Sequence, residues 1–126
     1  MFKNNVAFSG FSVDDMSAAT AFYGGTLGLE TEDTPMGLKL KLAGGGTVFI
    51  YHKDDHVPAT FTILNFVVDD IDHTVDELTS KGIVLEHYDG MTDDKGIARG
   101  IAAGRGPDIA WFKDPAGNIL SVLKDA

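Results

Sequence analysis

The chain has 126 residues, with 19 Asp and Glu against 10 Lys and Arg, a net charge of −9 and no cysteine. That length suits one domain of modal size. The missing cysteine excludes a disulfide scaffold, a Cys-ligated metal and a thiol nucleophile, and so acidic a balance argues against nucleic acid, whose phosphates need clustered Lys and Arg.

No apolar run nears the roughly 20 residues that span a bilayer, and residues 1–5 lack the apolar stretch of a secretory leader. The expectation is a soluble cytoplasmic protein with no membrane partner. Residues 5–13 read as a strand. Asp14-Asp15 offers an N-cap, Met16, Ala19 and Tyr23 recur at helical spacing, and Gly24-Gly25 is expected to stop that helix. Residues 29–33 read as a second strand. Leu38, Leu40 and Leu42 alternate with Lys39 and Lys41, a period-2 strand. Gly44-Gly45-Gly46 turns the chain into a β-rich return over residues 47–51.

Residues 52–58 (HKDDHVP) read as a polar linker. His52 and His56 there are four apart, which brings side chains together only on a helix, so a solvated linker is the reading rather than a metal cluster. Residues 61–68 form a further strand. Asp69-Asp70 caps a helix whose apolar face is Ile71, Val75 and Leu78, closed by Gly82. Residues 83–88 read as a strand and residues 89–107 as a long Gly-rich loop. Strands at 108–113 and 119–123 flank a tight turn, Asp114-Pro115-Ala116-Gly117-Asn118.

An internal repeat organises this pattern. A shift of 55 carries Phe11, Val13, Asp14 and Asp15 onto Phe66, Val68, Asp69 and Asp70. A shift of 71 carries Gly46, Lys53 and Asp54 onto Gly117, Lys124 and Asp125, a weaker match. The expected fold is α+β: two β-α-β-β-β modules, each with one helix over one sheet face, curving their open faces around a cleft. The chain then reads as one domain, with module one at 1–55, a linker at 52–60 and module two at 61–126.

FSVDD (residues 11–15), FVVDD (66–70) and FKDPAGNIL (112–120) make this chain similar to the vicinal oxygen chelate superfamily, which includes glyoxalase I, extradiol dioxygenases and bleomycin-resistance proteins. The resemblance covers nearly the whole chain. It implies a divalent metal held by a His on the first strand and a Glu, His or Gln on the last strand of each half. Those positions fall here on Phe8, Ile63, Ser121 and either Ile50 or Tyr51, since a one-residue slip exchanges faces. Phe and Ile cannot coordinate a cation and a lone Ser is a poor anchor, so neither a metal nor another cofactor is expected.

The expected function is a metal-independent small-molecule-binding protein. It would sequester a hydrophobic or aromatic compound in a cleft lined by Phe8, Ile63, Trp111 and Ser121, with Tyr51 and Tyr88 nearby. If the last hairpin closes symmetrically about Ala116, Trp111 faces Ser121 on the cleft side. Arg99 and Arg105, in the 89–107 loop, are the candidates to meet an anionic ligand group. The alternative is a glyoxalase-like lyase, isomerase or related enzyme with a displaced metal or metal-free acid/base chemistry. A third reading gives the open faces to subunit assembly, since similar proteins are often homodimers.

Overall fold

In the computed structural model, which describes residues 1–125, the alternation of apolar and polar side chains resolves into two four-stranded mixed sheets. They belong to two compact units that divide between Pro58 and Ala59. Among the described residues no helix is long and apolar enough to cross a membrane.

The first unit comprises β1 (Ser9–Val13), α1 (Met16–Thr20), a π-helical turn (Ala21–Thr26), β2 (Glu30–Thr34), β3 (Gly37–Lys41) and β4 (Thr47–His52). Its strand order is β1-β4-β3-β2, with β1 parallel to β4 and the other pairs antiparallel. Asp15 caps α1 by accepting the Ala18 N–H at 3.0 Å. The helix does not stop at Gly24-Gly25. It widens to take both into the π-helical turn, and the chain leaves beyond Leu27 through Gly28 at φ 71°. Residues 5–8 lie outside β1 and are exposed, so the first strand is shorter than expected.

The second unit comprises β5 (Thr62–Val67), α2 (Ile71–Ser80), β6 (Ile97–Arg99), β7 (Asp108–Lys113) and β8 (Ile119–Lys124), in the order β5-β8-β7-β6. Asp70 caps α2 through the His73 N–H at 3.0 Å. The helix presents Ile71, Val75 and Leu78 to the core, where they meet the buried side of the sheet: Ala110, Phe112, Leu120 and Val122. The expected strand at 83–88 is reduced to a single bridge, Leu85 to Phe112. Its place in the sheet is taken by β6, inside the segment read as loop. The outer edge of β7 is shared: Glu86 donates its N–H to the Trp111 carbonyl at 2.8 Å, while β6 pairs with Asp108, Ile109 and Ala110.

Pairing registers refine the repeat. The β3–β4 hairpin closes with Lys41 opposite Thr47 and the β7–β8 hairpin with Lys113 opposite Ile119, a shift of 72 rather than 71. That shift carries buried Leu38, Leu40, Val48 and Ile50 onto buried Ala110, Phe112, Leu120 and Val122. Both turns use the same backbone bonds. Leu42 donates to the Gly46 carbonyl and Gly45 to that of Leu42; Asp114 donates to the Asn118 carbonyl and Gly117 to that of Asp114. A third copy precedes β6, where Asp93 donates to the Ile97 carbonyl and Gly96 to that of Asp93.

In the two Asp-led turns the carboxylate adds a cradle. One Asp114 oxygen accepts the N–H groups of Ala116 and Asn118, both at 2.9 Å, and the other accepts Asn118 Nδ2 at 3.0 Å. Asp93 accepts the N–H groups of Lys95 and Ile97 at 2.9 Å and turns its second oxygen to Arg99 Nε at 2.9 Å. Arg99 continues to α2, where Nη1 and Nη2 each reach an Asp72 oxygen at 2.8 Å. Lys95 joins Asp72 at 3.1 Å and Asp76 at 2.9 Å. This ion cluster ties β6 and its turn to the helix.

Asp114 and Asn118 are buried, so Asp114→Ala strands several donors away from water. We expect a loss of about 2–3 kcal/mol, measured by urea denaturation. Arg99 and then Lys95 hold the Asp72 carboxyl far below its ordinary value. The unfolded chain protonates Asp72 near pH 3.8 and the folded chain only at lower pH, so this contribution is complete above pH 3.8 and drains as the pH falls. Asp72→Asn should lower the urea midpoint modestly at neutral pH, since the pair is part-exposed and screened. It should also flatten the acid side of the stability profile; equal acid slopes in the two proteins would contradict this.

Candidate ligand-binding site

With Ala110 and Phe112 facing α2, alternation turns Ile109 and Trp111 to the opposite, open face of the second sheet. Ser121 stands directly across from Trp111, and Asn65 across from Ser121. The Ser121 hydroxyl is fully buried and donates to Asn65 Oδ1. Tyr88 meets Trp111 edge to face, ring centroids 5.4 Å apart at 81°, which fixes the orientation of the indole. Tyr88 is itself held by Thr92, whose hydroxyl accepts the Tyr88 N–H at 2.8 Å.

The segment from Gly90 to Pro107 folds beside this face and borders an open cavity of about 660 Å3. Met91, Thr92, Ala98, Ile109 and Trp111 contribute to its wall, and Arg99 and Arg105 bring charge. A volume of this size lies in the range of small-molecule pockets. The Arg99 guanidinium is engaged by Asp72 and Asp93, which raise its pKa further. Asp93 is shifted the other way: burial opposes ionisation, but the Ile97 N–H, Arg99 and the Lys95 N–H outweigh it and lower its pKa. Arg99 and Asp93 therefore cancel each other within the wall.

Trp111, Tyr88, Ser121 and Arg99 all belong to the second unit, with Trp111 in contact with Tyr88, opposite Ser121, and sharing the cavity with Arg99. Ile63 sits at an irregularity of the β5–β8 pairing, between Thr62 and Leu64, so alternation assigns it no face. Phe8 and Tyr51 belong to the first unit. Phe8 is 66% exposed just ahead of β1. Tyr51 lies on the open face of its sheet and stacks on Phe49, centroids 6.5 Å apart at 18°. Ile50 is the buried alternative, with none of its surface exposed. Registers make Phe49 the counterpart of Ser121, since Gly10 opposes Phe49 as Asn65 opposes Ser121.

Met91 and Ala98 escaped the sequence reading because residues 89–107 looked like uniform loop. The signal that finds them is Asp93-x-x-Gly96, the same spacing as Asp114-x-x-Gly117, which marks a hairpin turn and hence a strand after it. The family's metal does not fit the corresponding positions. Phe8, Ile63 and Phe49 or Tyr51 offer no carboxylate or imidazole, and the Ser121 hydroxyl is committed to Asn65. Among the described residues no three His, Asp or Glu side chains gather as a metal site elsewhere.

Comparison with known proteins agrees with this architecture. Residues 6–122 match the model of the Glyoxalase/Bleomycin resistance protein/Dioxygenase superfamily. Among curated proteins no relative matches at a significant level. Similar solved structures include a glyoxalase family protein from Enterococcus faecalis, at 23% identity and TM-score 0.70 over 98% of this chain and 99% of that one. A lactoylglutathione lyase from Agrobacterium tumefaciens is similar at 21% identity and TM-score 0.66, covering 96% of this chain and 93% of that one. A fosfomycin resistance protein from Listeria monocytogenes is similar at 13% identity and TM-score 0.69, covering 98% and 94%. At these identities the structures speak for the fold, and the family match extends over almost the whole sequence. The chain belongs to the Glyoxalase/Bleomycin resistance protein/Dioxygenase superfamily.

Proposed function

We propose that this protein binds a small hydrophobic or aromatic compound without a metal, in the cavity lined by β6–β7 and the loops on either side of β6. The observation that carries the reading is Trp111, a half-buried indole held edge-on by Tyr88 and facing a space of about 660 Å3. An indole of fixed orientation offers a flat apolar surface at little cost in side-chain entropy. The absence of metal-ligand chemistry at Phe8, Ile63 and Ser121 favours binding over metal-dependent turnover.

Trp111 is the only tryptophan, so intrinsic fluorescence reports this site alone. A panel of planar aromatic metabolites and drugs should contain compounds that shift both Trp111 emission and the melting temperature. Their affinity should be unchanged by EDTA and fall about tenfold in Trp111→Ala. A panel that shifts neither signal at millimolar concentration sinks the proposal, and so does binding that chelation abolishes.

The same proposal includes a homodimer. Phe8 in the first unit and Val67 on the open face of the second leave 66% and 68% of their surface exposed, apolar area that a second copy would cover. Sedimentation equilibrium should give twice the chain mass, and Phe8→Glu with Val67→Glu should give the single-chain mass. A wild-type protein that sediments as a monomer overturns this part.

A further inference from the structure

Among the described residues, three charged residues line the Trp111 cavity: Asp93, Arg99 and Arg105. The first two neutralise each other. Asp93 accepts Arg99 Nε at 2.9 Å and two backbone N–H groups, and Arg99 gives its remaining fork to Asp72, with both contacts at 2.8 Å. Arg105 differs. Its backbone N–H donates to the Gly100 carbonyl at 2.8 Å, which closes the loop and fixes where the side chain starts. Among the described residues its guanidinium is paired with no carboxylate, and it is exposed to solvent at the cavity.

An unpaired Arg is a notable choice in a chain carrying −9 overall, with 19 acidic residues available to neutralise it. At long range such a protein repels anions. An anion can be held only where a local cation outweighs that field, and a guanidinium fork matches a carboxylate in charge and in the geometry of two parallel hydrogen bonds. At Trp111 the same cavity offers a flat apolar wall, joined by Met91 and Ile109. The two features ask for a ligand with an apolar planar body and an anionic group at its end.

Resting on the binding reading above, we infer that the cavity selects aromatic carboxylates, with the ring against Trp111 and the carboxylate on Arg105. The ligand thus enters body-first beside the indole and leaves its charge at the solvent edge, where Arg105 meets it. Arg105 sets specificity and Trp111 supplies affinity common to charged and neutral compounds. The Arg99–Asp72 pair takes no part in recognition.

Matched acid and amide pairs test this by calorimetry: benzoate with benzamide, cinnamate with cinnamamide, and 1-naphthoate with 1-naphthamide. In at least one pair the acid should bind about tenfold tighter than the amide. Arg105→Gln should bring the two within about twofold while leaving amide affinity unchanged, and Trp111→Ala should weaken both members alike. Equal binding of acid and amide, or a preference that survives Arg105→Gln, overturns the inference and leaves the aromatic site standing. Failure of every acid and amide to bind overturns the inference and the binding reading together.

Discussion

A four-stranded sheet has two faces, and each unit of this chain carries helical residues for one of them. Everything else follows from that shortage. Strict alternation sends Leu38, Leu40, Val48 and Ile50 in one unit, and Ala110, Phe112, Leu120 and Val122 in the other, to the covered side. The residues between them are left on a face that the unit's own helix cannot reach. In the first unit that face carries the Phe49–Tyr51 stack beside a ladder of Lys39 and Lys41 with Glu30 and Glu32. In the second it carries Trp111, Ser121 and Asn65, and a loop folds beside it to make a cavity. The cavity is the by-product of a sheet that is half covered.

The electrostatics of the second unit commit Arg99 to structure. Arg99 lies on the same side of β6 as buried Ile97 and turns to Asp72 on the helix, so its charge goes into holding the loop. Ala98, between them, faces the other way, toward the side of Ile109 and Trp111. A single-residue change of register in β6 would exchange these roles and put a bound guanidinium against the indole. The turn at Asp93 fixes the register, and the same carboxylate that shapes this turn receives Arg99. Loop shape and loop charge are therefore set by one side chain.

Local signals were readable in the sequence and tertiary ones were not. Asp15 and Asp70 cap their helices, and Asp114 to Asn118 turns the last hairpin, because each acts on backbone within four residues. The repeat was readable for the same reason: two caps after two strands. The strand at 97–99 was hidden because three residues show no periodicity, while residues 83–88 have strand-like composition but meet only one end of β7. The triple glycine hid the register of β4, since a slip there moves no side chain that would object. Whether Arg99 or Arg105 is the available cation depends on a helix residue 27 positions away, which no local pattern encodes.

The shared turn geometry has a thermodynamic asymmetry. Three five-residue segments close the same ring of backbone bonds, yet they draw on different reserves of chain freedom. Leu42 to Gly46 contains three consecutive glycines, which surrender more backbone entropy on ordering than any other residue. Its counterpart begins Asp114-Pro115, where one torsion is fixed before folding starts and a carboxylate waits to collect the N–H groups. The second hairpin thus closes from a denatured chain already biased toward its turn, while the first must be closed by its strands. Of two modules built on one plan, the half that bears the indole cavity rests on the more preorganised hinge.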